Sequence, residues 1–334
     1  MKQSFNTFKA WQKDFLSRRP HRSFHLTRRR DYARSLELPG YIAFTHYVNK
    51  TLWSHKKLFF GLACIYLILF TVLVGLGSQD IYNTLTDTLQ QASSGIGAGD
   101  LSQLNQAGLL FFTIATVGIT NTPSEAQQIY AVLLGLLVWL TTVWLLRNKM
   151  AGHKIKLRDG LYNAGAPLLP LFLVALVFAL QLIPILIAAI GYSAATSSGL
   201  LASGVEAMLF WVAASLLALL SIFWATGTFF GMVIVTLPGM YPMKALRNAG
   251  DLVLGRRVRI LLRWLWMFLM VGLLWVVVLI PFILLDLWLK NIWPFFVNVP
   301  LIPVVIALLG TISIIWLSGY VYLFYRKVVD EHKN

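Results

Sequence analysis

Residues 207–237 read AMLFWVAASLLALLSIFWATGTFFGMVIVTL, a run without a single Asp, Glu, Lys, Arg or His. About 20 apolar residues in a helix cross the ~30 Å hydrocarbon core of a bilayer, and a helix satisfies its own backbone hydrogen bonds where water is missing. This run is therefore predicted to span a membrane. Five more can be placed at Leu58–Gly77, Gln128–Leu146, Ala166–Ile190, Trp264–Leu285 and Val299–Tyr325. Pro184 and Pro281 lie inside two of them, which helical spans tolerate when neighbouring helices satisfy the freed backbone groups. Composition agrees: 58% of residues are hydrophobic, 12% are charged and the mean hydropathy is +0.71, more apolar surface than a soluble core of this length could bury. The predicted class is an all-α polytopic membrane protein with six transmembrane helices.

Charge orients it. Of the 28 Lys and Arg residues, 27 fall in residues 1–57, the 147–165 loop, the 238–263 loop and the C-terminal tail; Lys290 alone falls on the other side. The positive-inside rule then predicts both termini in the cytoplasm and gathers the net charge of +15 on one face; the membrane expected is a cell membrane, of the bacterial plasma-membrane type. Three regions follow: a basic N-terminal region 1–57, a transmembrane domain 58–325 with an outer loop at 78–127, and a tail 326–334. The first apolar run begins too late and runs too long for a cleavable signal peptide, so the first span is expected to be the insertion signal. The single cysteine, Cys64, lies within that span, cannot form an intramolecular disulfide and is expected to pack as a small apolar residue.

The opening run also contains a phrase the chain uses twice. SIFWATG at 221–227 returns as SIIWLSG at 313–319, 92 positions later. Asn163-Ala164-Gly165 returns as Asn248-Ala249-Gly250, and Trp139-Leu140-Thr141 falls against Trp224-Ala225-Thr226, both at an offset of 85. Leu182-Ile183-Pro184 returns as Leu279-Ile280-Pro281, and Leu38-Pro39-Gly40 resembles Leu237-Pro238-Gly239. Such self-similarity marks stacked units. The unit read here is a short cytoplasmic amphipathic helix followed by a transmembrane hairpin, used three times. All copies enter from the same side, unlike the inverted repeats and broken helices of secondary transporters. Within the repeated phrase, Trp224, Gly227 and Gly231, then Trp316 and Gly319, are expected to be helix-packing positions, since small residues let helices approach closely.

The segment MYPMKALRNAGDLVLGRRVRILLRWL at 240–265 resembles the stretch before a span in the six-helix membrane domain that accompanies some bacterial glycerophosphodiester phosphodiesterases, and in related uncharacterised membrane proteins. The resemblance covers mainly the last third of the chain, with an echo at KLRDGLYNAGAPLLPLF, residues 156–172. It implies a similar six-helix bundle. The catalytic domain of those proteins has no counterpart in this sequence, so the resemblance implies no hydrolase activity.

Catalytic and metal-binding patterns are sparse. Ionisable residues within a membrane are functional candidates, but none falls near the middle of a predicted span; Glu206 and Asp286 sit at outer ends, where they are expected to be solvated rather than to line a vestibule. Gln181 is expected to bond a neighbouring helix. The six histidines all lie on the cytoplasmic side, and the His21/His25 pair sits among arginines that oppose a cation. No Walker loop, nucleophile elbow or paired carboxylates occur. No cofactor, metal or catalytic residue is expected, and the protein is read as non-enzymatic.

The N-terminus carries more signal. Phe5, Phe8, Trp11 and Phe15 share one helical face bordered by Lys2, Lys9 and Lys13, as in a helix lying in a membrane surface. Arg18, Arg19, Arg22, Arg28, Arg29 and Arg30 follow, close enough to the bilayer to bind anionic lipid; with Phe8 and Trp11 they form the expected lipid-binding set. RNA binding is the rival reading, disfavoured because no aromatic-rich nucleic-acid fold surrounds the arginines. On the outer side GLLFFTIATVGIT, residues 108–120, is too short to cross and is expected to be re-entrant or interfacial. The function expected is an accessory or scaffold protein organising anionic lipids, a membrane-protein partner or further copies of itself at the cytoplasmic face; the alternative is a permease or channel-like transporter.

Overall fold

The computed structural model describes residues 39–75, 124–198, 204–293 and 301–330. They are helical, as composition predicts, and six helical segments are long and apolar enough to cross a membrane. The hairpin unit recurs. Helix α1 (Tyr41–Ser54) precedes α2 (Lys56–Leu73) and α3 (Glu125–Met150). Helix α4 (Leu157–Asn163) precedes the third span, formed by α5 (Leu168–Gln181) with α6 (Ile183–Ser197), and then α7 (Gly204–Ile234). Helix α8 (Pro242–Val253) precedes α9 (Arg257–Ile292) and α10 (Leu301–Asp330).

Local signals explain several boundaries. The Ser124 hydroxyl accepts from the Gln127 amide while the Gln127 side chain accepts from the Ser124 N–H, a capping box; Glu125 in the first turn and Arg147 and Lys149 in the last complement the helix dipole. Between α7 and α8 the chain reverses at Leu237-Pro238-Gly239-Met240, where Gly239 has φ of +73° and the Met240 N–H donates to the Leu237 carbonyl. Pro fixes the second position of such a turn and Gly supplies the positive φ of the third.

The most buried spans are α3 and α10, with 56% and 50% of their most apolar stretch buried, against 6% for α7. Helix α10 packs on α1, α2, α3, α7 and α9. An aromatic cluster holds this centre together: Phe44 meets Tyr320 edge-on at 4.9 Å, and Trp264 lies 5.2 Å from Phe230 and 5.1 Å from Phe324. Such tilted and edge-on pairs suit the ring quadrupoles. A second, smaller cluster joins Trp275, Leu279 and Ile283 of α9 to Ile302, Ile306 and Leu309 of α10, tied by the Trp275 indole donating to Ser313 at 2.8 Å.

Two expectations need correction. The third span is not one helix. It is interrupted at Leu182, where Pro184 removes a backbone donor and the Ile185 N–H donates to the Ser221 hydroxyl of α7 at 3.2 Å. Pro281, its counterpart in the repeat, lies inside the continuous helix α9. Asp286 is not solvated either: it is 2% exposed and pairs with Lys290 one turn on, at 2.6 Å. Helix α9 continues past the predicted end of the fifth span, which places both residues on the same helix face.

Candidate functional site

Four basic segments meet at one end of the bundle. Arg147, at the end of α3, donates to the Thr236 carbonyl after α7 at 2.9 Å. Arg263 of α9, only 6% exposed, donates to the Pro39 carbonyl before α1 and lies over the Tyr41 ring, 4.4 Å from its centroid. Lys327 of α10 lies 5.8 Å from the Tyr47 ring of α1. Arg257 donates to the Phe223 carbonyl at 2.8 Å with its guanidinium 3.7 Å from that ring. A planar guanidinium can stack on a ring while its edge donates, which a lysine cannot reproduce. Arg263 and Lys327 thus bind the connector α1 to α9 and α10, Arg147 holds the turn after α7, and Arg257 joins the start of α9 to Phe223 within α7.

Beside this end lies a lateral groove of about 1160 Å³ between α2 and α9, floored by α10. Its mouth is formed by His46, Asn49 and Lys50 of α1 with Lys56 and Lys57 at the start of α2. Deeper, its walls are Phe60 and Ala63 on one side and Leu274 and Val277 on the other, over Ile312 and Ile315. Trp316 donates to the Asn49 side-chain carbonyl at 2.7 Å. Because an indole N–H can only donate, this bond fixes the orientation of the Asn49 amide and leaves its NH2 available as a donor. Lys56 lies 5.6 Å from the Trp53 ring at the same mouth. Nothing in the sequence marked this groove in advance, since its residues come from four helices, with α9 and α10 about 200 residues or more beyond α1 and α2 in the chain.

The predicted packing positions are spread over separate contacts. Gly227 and Gly231 face α8, where a Cβ on Gly227 would come within 3.9 Å of Ala249 and Gly250 backbone atoms, and one on Gly231 within 3.2 Å of Leu246. The small-residue face of α7 thus receives the connector α8, with Val174 of α5 beside it at Gly231, 3.7 Å from where a Cβ would stand. Gly319 faces Leu52 of α1 and Leu146 of α3. Trp316 stacks on Tyr320 at 5.2 Å, whereas Trp224 is 45% exposed and does not share the packed side of its helix. Gln181 accepts from the Thr228 hydroxyl at 2.6 Å. Phe8, Trp11, Arg18, Arg19, Arg22, Arg28, Arg29 and Arg30 lie outside the described residues, as does the 108–120 segment. Among the described residues no group of three His, Cys, Asp or Glu side chains is placed to hold a metal ion.

No protein-family model matches the chain, no curated protein matches it, and no solved structure matches its fold. The likeness of residues 240–265 to the phosphodiesterase-associated membrane domain stays a resemblance of sequence pattern.

Proposed function

We propose that this polytopic membrane protein is a non-enzymatic scaffold that gathers anionic lipid, and through it protein partners, at its cytoplasmic face. The observation that carries the reading is the convergence of cation-bearing segments on one end of the bundle, joined by Arg147, Arg263 and Lys327. Only three carboxylates, Asp159, Asp251 and Asp330, occur in the described parts of those segments, so the end is strongly positive and suited to a negatively charged leaflet. Full-length protein reconstituted in phosphatidylcholine bilayers with a minor share of phosphatidylglycerol should enrich the anionic lipid around itself, read by energy transfer from the protein to labelled lipid. The enrichment should fall as salt rises from 0.1 to 1 M, where the Debye length shortens from ~10 Å to ~3 Å. Replacing Arg28, Arg29 and Arg30 together with Ala should reduce it. Enrichment that is absent, or indifferent to salt, would sink the proposal.

A transport reading draws on one observation, the interrupted third span with Gln181, Thr228 and Ser221 beside the break, because discontinuous helices line substrate sites in transporters. The scaffold reading expects Thr228→Cys, in a Cys64→Ser background, to resist an impermeant maleimide from both sides. Fast labelling from either side would favour a water-filled path.

A further inference from the structure

We propose that the groove between α2 and α9 is a binding site for one anionic glycerophospholipid of the cytoplasmic leaflet. The inference rests on the scaffold reading for its orientation and adds to it a single built site. The phosphate sits at Lys50, Lys56 and Lys57, and an acyl chain runs along Phe60, Ala63 and Leu274.

Shape, charge and hydrogen bonding point to the same occupant. The volume of about 1160 Å³ exceeds the roughly 300–1,000 Å³ usual for compact small-molecule pockets, and its polarity is graded: cationic and amide groups at one end, aliphatic and aromatic walls beyond. A solvated polar ligand would leave the apolar length unfilled, and a neutral hydrocarbon would leave three ammonium groups without a counterion. An amphiphile with one negative head fits both halves. Among the described residues that line it there is no carboxylate: residues 41–74 contain neither Asp nor Glu, and the groove-lining parts of α9 and α10 carry no charge. The Asn49 amide, oriented by Trp316, offers a neutral donor to a phosphate or glycerol oxygen beside the lysines. The groove also opens sideways, as a lipid entering from the bilayer requires: Phe60 is 65% exposed and Val277 is 60% exposed.

The test uses full-length protein purified in mild detergent, stripped of lipid, then incubated with dioleoyl phosphatidylglycerol or dioleoyl phosphatidylcholine and examined by native mass spectrometry. One phosphatidylglycerol per chain should survive activation that removes phosphatidylcholine. The triple variant Lys50→Gln, Lys56→Gln, Lys57→Gln should retain it about tenfold less. Filling the groove with Leu274→Trp and Val277→Trp, both exposed on its α9 wall, should lower retention of either lipid, while Lys154→Gln with Arg158→Gln, which removes two exposed charges elsewhere at the same end, should leave retention unchanged. Thermal melting of each variant in detergent identifies any that fails to fold, and the charge and filling variants fail independently. Equal retention of the two lipids, full retention by both groove variants, or loss in the control variant would overturn the proposal. So would a rise in retention on deleting residues 1–36, which would make the chain's own N-terminal segment the occupant. Salt-sensitive enrichment that persists while groove retention is refuted would leave the scaffold reading standing and remove only this site.

Discussion

Arg263 shows how one side chain can join two distant parts of the sequence. Its guanidinium is nearly enclosed, reaches the Pro39 carbonyl and covers Tyr41, so it fixes the start of α1 against α9. A charged hydrogen bond of this kind contributes about 1.5–3 kcal/mol, and truncation also removes the ring contact. Arg263→Ala should therefore lower stability in detergent by about 2–3 kcal/mol, read as a clear fall in melting temperature, and Arg263→Lys should recover less than half because an ammonium has no planar face. If Arg263→Ala melts like the parent, the latch is decorative. The tryptophans follow the same rule of a polar tip on an apolar body: Trp264 donates to the Thr226 carbonyl at 3.2 Å and Trp266 to the Thr45 hydroxyl at 3.0 Å. Sequence alone announces that twelve tryptophans need partners in an apolar chain. It does not say which.

At the scale of elements, the short connectors are packed members of the bundle. Ala164, at the end of α4, and Ala249, within α8, are both buried, at 2% and 1% exposure, and these are the positions matched by the repeated Asn-Ala-Gly phrase. The glycines near them behave differently. Gly160 in α4 faces α3 so closely that a Cβ would lie 2.6 Å from a Leu145 methyl, whereas a Cβ on Gly250 in α8 meets nothing within 4 Å. Gly160→Ala should destabilise by about 1–3 kcal/mol through overpacking. Gly250→Ala should be neutral or stabilise by up to about 1 kcal/mol through helix propensity. Paired melting curves in one detergent check the contrast, and equal shifts would refute it. The broken third span belongs to this scale too. Pro184 and Pro281 occupy matching places in the repeat, yet only the first coincides with an interruption, and there the Ser221 hydroxyl meets the Ile185 amide.

Across the whole molecule, burial is uneven. Helices α3 and α10 carry the centre, while α6 and the first half of α7 pack chiefly on each other and present an apolar surface that includes Leu186, Ile190, Leu209 and Trp211. Surface of that kind is stable in hydrocarbon and costly in water. The basic end and the Asp286–Lys290 pair lie in parts of the chain assigned to opposite membrane faces, so the pair offsets the one cation that breaks the charge bias. In a Cys64→Ser background, a cysteine at Ser94 should react with an impermeant maleimide added outside intact cells, and one at Ser23 should not. The reverse pattern would invert the topology and with it the leaflet that supplies the groove.

What the sequence by itself determined follows from terms that add along the chain. Hydropathy summed over about 20 residues marks a span wherever the rest of the fold lies, and the repeat reads directly as recurring letters. Six spans, three connectors and the segregation of basic residues were legible for that reason. Only the tertiary structure decided which spans are central, that Gly227 and Gly231 receive α8, that Trp224 stays exposed and that Asp286 is buried with Lys290. It alone placed Lys50, Lys56 and Lys57 at the head of an apolar groove whose far wall is more than 200 residues away in the chain. These outcomes depend on contacts between residues of unrelated sequence position, and hydrocarbon surroundings give no pattern to separate them in advance, because a lipid-facing and a helix-facing leucine are equally apolar.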